Sequence, residues 1–134
     1  MAADIKFEVT SETNDGKSKV GTLKWPARGL SSTAKSGPHG KGALPDGTYT
    51  AKRNKMLDKV GQAPYCDKVG GKKHCWMQPF EDAHGRTELG IHPDGNEEGT
   101  EGCIGLKIDD TASWYDAFHA VAAGSSVTVE VVKI

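Results

Sequence analysis

Two stretches at opposite ends of the chain alternate apolar and polar residues with a period of two: "IKFEV" at residues 5–9 and "SSVTVEVVKI" at residues 125–134. That period belongs to a β-strand with one face buried; an α-helix cannot use it. Similar short runs, separated by turn residues, recur along the sequence. "SETNDGKS" is a turn cluster, and "KVGTLKW" returns from it as the second half of a hairpin. "LPDGTYTAKR" reads as a turn feeding a strand, with Pro45 setting the turn and Gly47 relaxing it. "HCWMQPF" and "TELGIHP" add two more strands. Residues 26–43, small, polar and glycine-rich, read as loop, and "NKMLDKVGQAPY" carries no clear period. One segment has helical spacing, "DDTASWYDAFHAVAAG", in which Trp114, Phe118 and Val121 fall on one face. Asp109 or Asp110 caps its start, and Gly124 its end. The pattern predicts one mainly β domain over residues 1–134 with a single main helix, about Asp110–Ala123.

At 134 residues, with 36% hydrophobic and 26% charged side chains, the chain is long enough to bury a core without cross-links. No apolar run approaches a membrane span. The opening "MAADIKFEVT" lacks the basic and apolar regions of a secretory signal, so synthesis in the cytoplasm without a signal peptide is expected. The net charge of −1 hides an asymmetry: Lys and Arg dominate residues 1–80, whereas Asp and Glu dominate residues 81–134. The basic residues are scattered, with no recognition-helix or aromatic-stacking pattern, which argues against nucleic acid as a partner.

The chemistry concentrates in "GIHPDGNEEGTEGCIGL", residues 90–106, which holds five glycines, four acidic residues, His92 and Cys103. Glycine is used where a chain turns sharply or approaches something closely. A histidine and a cysteine in that setting look positioned rather than buried. A thiolate is a nucleophile, and a nearby imidazole can take its proton. Backbone N–H groups around a glycine-flanked cysteine can stabilise an oxyanion. The combination points to acyl transfer, either amide cleavage or transfer to an amine.

Two further cysteines, Cys66 and Cys75, bracket "DKVGGKK". In a hairpin they can face each other as a disulfide in an oxidising compartment, or they remain two thiols. Cys66, His74, Cys75 and His84 match no recognised zinc spacing, and "DGNEEG" lacks the rest of a calcium-binding loop. No metal and no cofactor is expected.

"IHPDGNEEGTEGCIGL" resembles the active-site signature of the L,D-transpeptidase (YkuD-type) catalytic domain, in which a histidine precedes a Ser/Thr-x-Gly-Cys-Ile/Val-x-Leu segment. The matching residues are His92, Thr100, Gly102, Cys103, Ile104 and Leu106. Upstream, "GALPDGTY" is similar to the family's Gly-Pro-x-Pro-x-Gly-x-Tyr turn. "GRTELGIH" is similar to the lead-in of its small bacterial effectors delivered by type VI secretion. Downstream, the helix and "GSSVTVEV" follow the family's order, so the resemblance covers residues from about 42 to the end. Three positions depart from it. Gly105 stands where many members carry arginine, Glu101 where histidine is common, and Pro93 where glycine follows the catalytic histidine.

The resemblance implies a mainly β, YkuD-like sandwich or barrel of mixed sheets. It implies Cys103 as nucleophile, His92 as general base oriented by the Pro93 backbone carbonyl, and the Gly102 backbone at the oxyanion. Arg86 is then a candidate replacement for the missing arginine, and Asp94, Thr100 and Glu101 are candidates for contact with substrate. The implied substrate is a bacterial peptidoglycan stem peptide, processed by carboxypeptidase, endopeptidase, transpeptidase or D-amino-acid exchange chemistry. The implied setting is an antibacterial effector acting in the periplasm of a target cell, with a cognate immunity protein. A phage-type wall lysis enzyme and a non-catalytic peptidoglycan-binding module of the same fold are the alternatives. An NlpC/P60-type amidase fits less well, because there the cysteine precedes the histidine and starts a helix.

Overall fold

A computed structural model describes residues 3–13, 17–37, 43–52, 57–58, 76–81, 89–93, 103–106, 112–121 and 125–134. The elements run β1 (Ile5–Glu12), β2 (Lys19–Trp25), a 3-10 turn (Pro26–Arg28), β3 (Leu30–Ser36), β4 (Gly47–Lys52), β5 (Leu57–Asp58), β6 (Trp76–Pro79), β7 (Gly90–Pro93), β8 (Ile104–Leu106), α1 (Ala112–His119) and β9 (Ser126–Lys133). The expected mainly β architecture with one α-helix is what the described residues form.

The strands make one mixed sheet in the order β4-β9-β1-β2-β3-β8-β7-β6-β5. The β1–β9 and β7–β8 pairs are parallel and the others antiparallel. The sheet curls until its ends meet. Ala51 of β4 bridges Phe80 just past β6, and the Glu81 N–H donates to the Thr50 carbonyl at 2.8 Å. The result is nearly a barrel, with most of its edges satisfied.

Closure follows from the alternation. Ile5, Phe7 and Val9 of β1, Leu23 and Trp25 of β2, and Val127, Val129 and Val131 of β9 all point inward and are buried. The outward positions carry charge, with Lys24 Nζ 2.7 Å from Glu8 and Lys133 Nζ 3.3 Å from Glu12. Thr10 is an extra residue in β1, a bulge between the Val9–Gly21 and Ser11–Val20 pairs.

Helix α1 packs against the core through aromatic rings. Phe118 lies 5.0 Å from Trp25 and 5.8 Å from Trp76, centroid to centroid, and Trp114 Nε1 donates to Ser32 Oγ at 2.9 Å. Trp114 and Phe118 are buried, and Val121 packs partly against the same cluster, as the helical spacing predicts. The helix stops at His119 rather than running to Ala123. The Val121 N–H bonds back three residues to Phe118, tightening the last turn. Residues Asp109 and Asp110 lie outside the described residues.

One expectation fails outright. Residues 30–36, read as loop, form β3, paired with β2 along its whole length and with β8 at Ala34–Ser36. "LSSTAKS" has little apolar content, but the barrel asks only for small inward residues here. Ser32, Ala34 and Ser36 supply them opposite Leu23, Gly21 and Lys19, with Leu30 opposite Trp25. Tertiary pairing overrides a weak local signal.

Candidate active site

Of the two residues singled out for chemistry, His92 sits on β7 and Cys103 directly precedes β8, the strand beside it. β7 and β8 run parallel with Ile91 opposite Ile104, His92 opposite Gly105 and Pro93 opposite Leu106. Ile91, Ile104 and Leu106 are fully buried in the core. Because the pleat alternates, His92 and Gly105 share the opposite face of the sheet. Cys103 directly precedes Ile104, so the parallel β7–β8 pairing brings it to the start of the strand next to that of His92, although eleven positions separate the two in sequence.

Both side chains are buried, Cys103 at 6% and His92 at 5% exposure, and Cys103 carries a thiol rather than half a disulfide. That corrects the expectation of a histidine and a cysteine positioned rather than buried. The isoleucines and leucine of the same segment are core, and its histidine and cysteine are enclosed as well.

The orientation of the imidazole is set locally. His92 Nδ1 lies 2.6 Å from the Pro93 carbonyl oxygen. A carbonyl only accepts, so Nδ1 carries the hydrogen and the neutral ring keeps its lone pair on Nε2. Pro93 lacks an N–H but retains the carbonyl needed here. The contact uses backbone one residue away, so it needs no third side chain.

Neighbouring elements hold this strand firmly. β6 pairs with β7 through Gln78–Ile91 and Pro79–Gly90, and the Phe80 N–H continues the ladder to the Leu89 carbonyl at 2.8 Å. Gly90 is required by close approach: a Cβ there would lie 2.2 Å from the Gln78 carbonyl oxygen. Gln78 is a fully buried polar side chain beside this strand, and its amide nitrogen donates to the Pro79 carbonyl at 3.3 Å. Sequence reading passed over it, although a glutamine within the apolar run "WMQPF" was a visible signal.

Arg86, Asp94, Thr100, Glu101, Gly102, Cys66 and Cys75 lie outside the described residues, as do His74 and His84. Among the described residues no three His, Cys, Asp or Glu side chains gather as a metal site, and no helix is long and apolar enough to cross a membrane. His119, on α1, is exposed with its ring 4.3 Å from Tyr115 and belongs to a different element from the His92–Cys103 pair. Comparison with family models, curated proteins and solved structures finds no match to this chain.

Proposed function

We propose that the chain is a cysteine acyltransferase or peptidase of the L,D-transpeptidase type, acting on peptidoglycan stem peptides. The observation that supports it best is the His92 Nδ1 to Pro93 carbonyl contact on the strand next to β8, which Cys103 precedes, because it leaves Nε2 as the basic nitrogen of the histidine.

In this reading His92 Nε2 takes the Cys103 proton, and the thiolate attacks the carbonyl carbon of the stem-peptide bond. The N–H groups at Gly102 and Cys103 carry the negative charge of the tetrahedral intermediate. The proton passes from His92 to the departing amine as the C–N bond breaks, leaving a thioester. Water or an acceptor amine then attacks the thioester, and Cys103 recovers its proton. Water makes the protein a carboxypeptidase or endopeptidase; an amine makes it a transpeptidase or a D-amino-acid exchange enzyme. Asp94, Thr100, Glu101 and Arg86 are the proposed substrate contacts, and a Cys66–Cys75 disulfide the proposed cross-link. Delivery to a target periplasm by type VI secretion, with an immunity partner, is the setting this reading implies.

The test is mass spectrometry of muropeptides after incubating Gram-negative peptidoglycan with the protein and with Cys103→Ala. Stem peptides that shorten or gain a D-amino acid only with the unaltered protein support the reading. An unchanged wall with a folded, thiol-competent protein rejects it and favours the wall-binding module.

A further inference from the structure

The motif "GALPDGTY", so far without a task, is tied down at the end of the sheet from which Cys103 emerges. Lys19 of β2 stands opposite Ser36 of β3, and Ser36 stands opposite Ile104 of β8. Directly opposed residues project to the same face of a sheet, so Lys19 and Ser36 are polar residues in a row whose next member, Ile104, is fully buried core. Both grip one residue. The Leu44 N–H donates to Ser36 Oγ at 2.8 Å, and Lys19 Nζ donates to the Leu44 carbonyl at 2.9 Å. Lys19 Nζ also meets Asp46 Oδ1 at 2.8 Å, the Ala43 N–H donates to the Lys17 carbonyl at 2.7 Å, and the Tyr49 hydroxyl donates to the Pro45 carbonyl. Four successive residues, Ala43–Asp46, are thus each held by a hydrogen bond, and Leu44 is fully buried. The β3–β8 ladder ends on the Ser36–Ile104 pair, and Cys103 is the residue before Ile104. The clamp on Leu44 therefore closes at the last paired position before the thiol.

We propose that Ser36 is a positioning residue for Cys103: by fixing segment 43–46 through Leu44 it sets the start of β8 and with it the place of the thiol relative to His92. This rests on reading Cys103 as the nucleophile. A buried backbone N–H that loses its acceptor must move to find another, and here the movement begins next to Ile104.

The test is the rate and pH profile of Cys103 alkylation by iodoacetamide, read by peptide-resolved mass spectrometry well below the Tm of each variant. Ser36→Ala should slow alkylation by about tenfold, a modest case of the loss that a misplaced reacting group brings, and should move the pH profile toward that of His92→Gln. Ser36→Thr keeps the hydroxyl and should restore both. Lys19→Met releases Leu44 from the β2 side; it should act in the same direction and decides the matter if Ser36→Ala does not fold. Val129→Ala is the control, a core truncation on β9, four strands from β8. Loss of stability alone opens a buried thiol and leaves alkylation equal or faster, with the profile unchanged. That result in Ser36→Ala or Lys19→Met, while His92→Gln changes the profile, overturns the proposal and leaves the catalytic reading standing. A His92→Gln protein with the unaltered rate and profile overturns the Cys103–His92 reading, and the positioning role with it.

Discussion

Replacing Gly90 with alanine tests the geometry that holds His92. The added Cβ would lie 2.2 Å from the Gln78 carbonyl oxygen and 2.7 Å from the Pro79 Cα. A comfortable carbon–oxygen contact is about 3.3 Å, so β6 and β7 must part by about 1 Å. Strands normally about 4.8 Å apart would then stand nearly 6 Å apart, and ladder bonds near 2.9 Å would stretch past the hydrogen-bonding range. Losing two such bonds at about 1 kcal/mol each costs about 2 kcal/mol. For 134 residues, at about 2.1 cal/mol/K per residue, the unfolding entropy is about 0.28 kcal/mol/K, so the Tm should fall by about 7 °C. His92 lies two residues along the same strand, and a displacement of about 1 Å can reduce the rate by about a hundredfold. The assays are thermal unfolding and the alkylation rate of Cys103. A Gly90→Ala protein with an unchanged Tm and an unchanged Cys103 rate would refute the argument that this close approach positions the imidazole.

Phe118→Ala removes the ring that contacts Trp25, Trp76 and Trp114; urea unfolding should show a loss of about 3–5 kcal/mol. Lys19→Met removes the ammonium 2.9 Å from the buried Leu44 carbonyl and should cost about 1–3 kcal/mol. Asp46→Asn, which alters only the exposed partner of the same lysine, should cost less than about 1 kcal/mol in the same unfolding assay. Pro93→Ala keeps the carbonyl that accepts from His92 Nδ1, so the pH profile of Cys103 alkylation should keep its midpoint, whereas His92→Gln should remove the histidine limb altogether.

Much of the fold was legible because the burial pattern of β1, β2 and β9 repeats with a period of two, and α1 repeats with the spacing of a helix. β3 was hidden because most of its inward residues, Ser32, Ala34 and Ser36, are too small to mark a hydrophobic period; only their partners across the sheet show why they suffice. Neither the parallel neighbours nor the closing bridge leaves a local mark, since Ala51 meets Phe80 across 29 positions of chain. At the site, His92 and Cys103 stood out as chemistry-bearing types among glycines. Their burial and the pairing of His92 with Gly105 depend on register, which is a property of pairs of strands rather than of any one segment. Gly90 was visible as a residue, but its cause, the Gln78 carbonyl, comes from another strand.

The place of β9 has a consequence for the order of events in folding. Ser126–Lys133 lies between β1 and β4, parallel to the first and antiparallel to the second. During synthesis β1 is made more than a hundred residues before β9 and must wait for it before both its edges are paired. The contact spans nearly the whole sequence, which places this barrel among slow, nonlocal folders. Until β9 inserts, two strand edges stay open to other chains. A chain cut short before Ser126 would lose the strand that joins β4 to β1, so a truncation more than twenty residues past Cys103 in sequence should abolish a competent thiol.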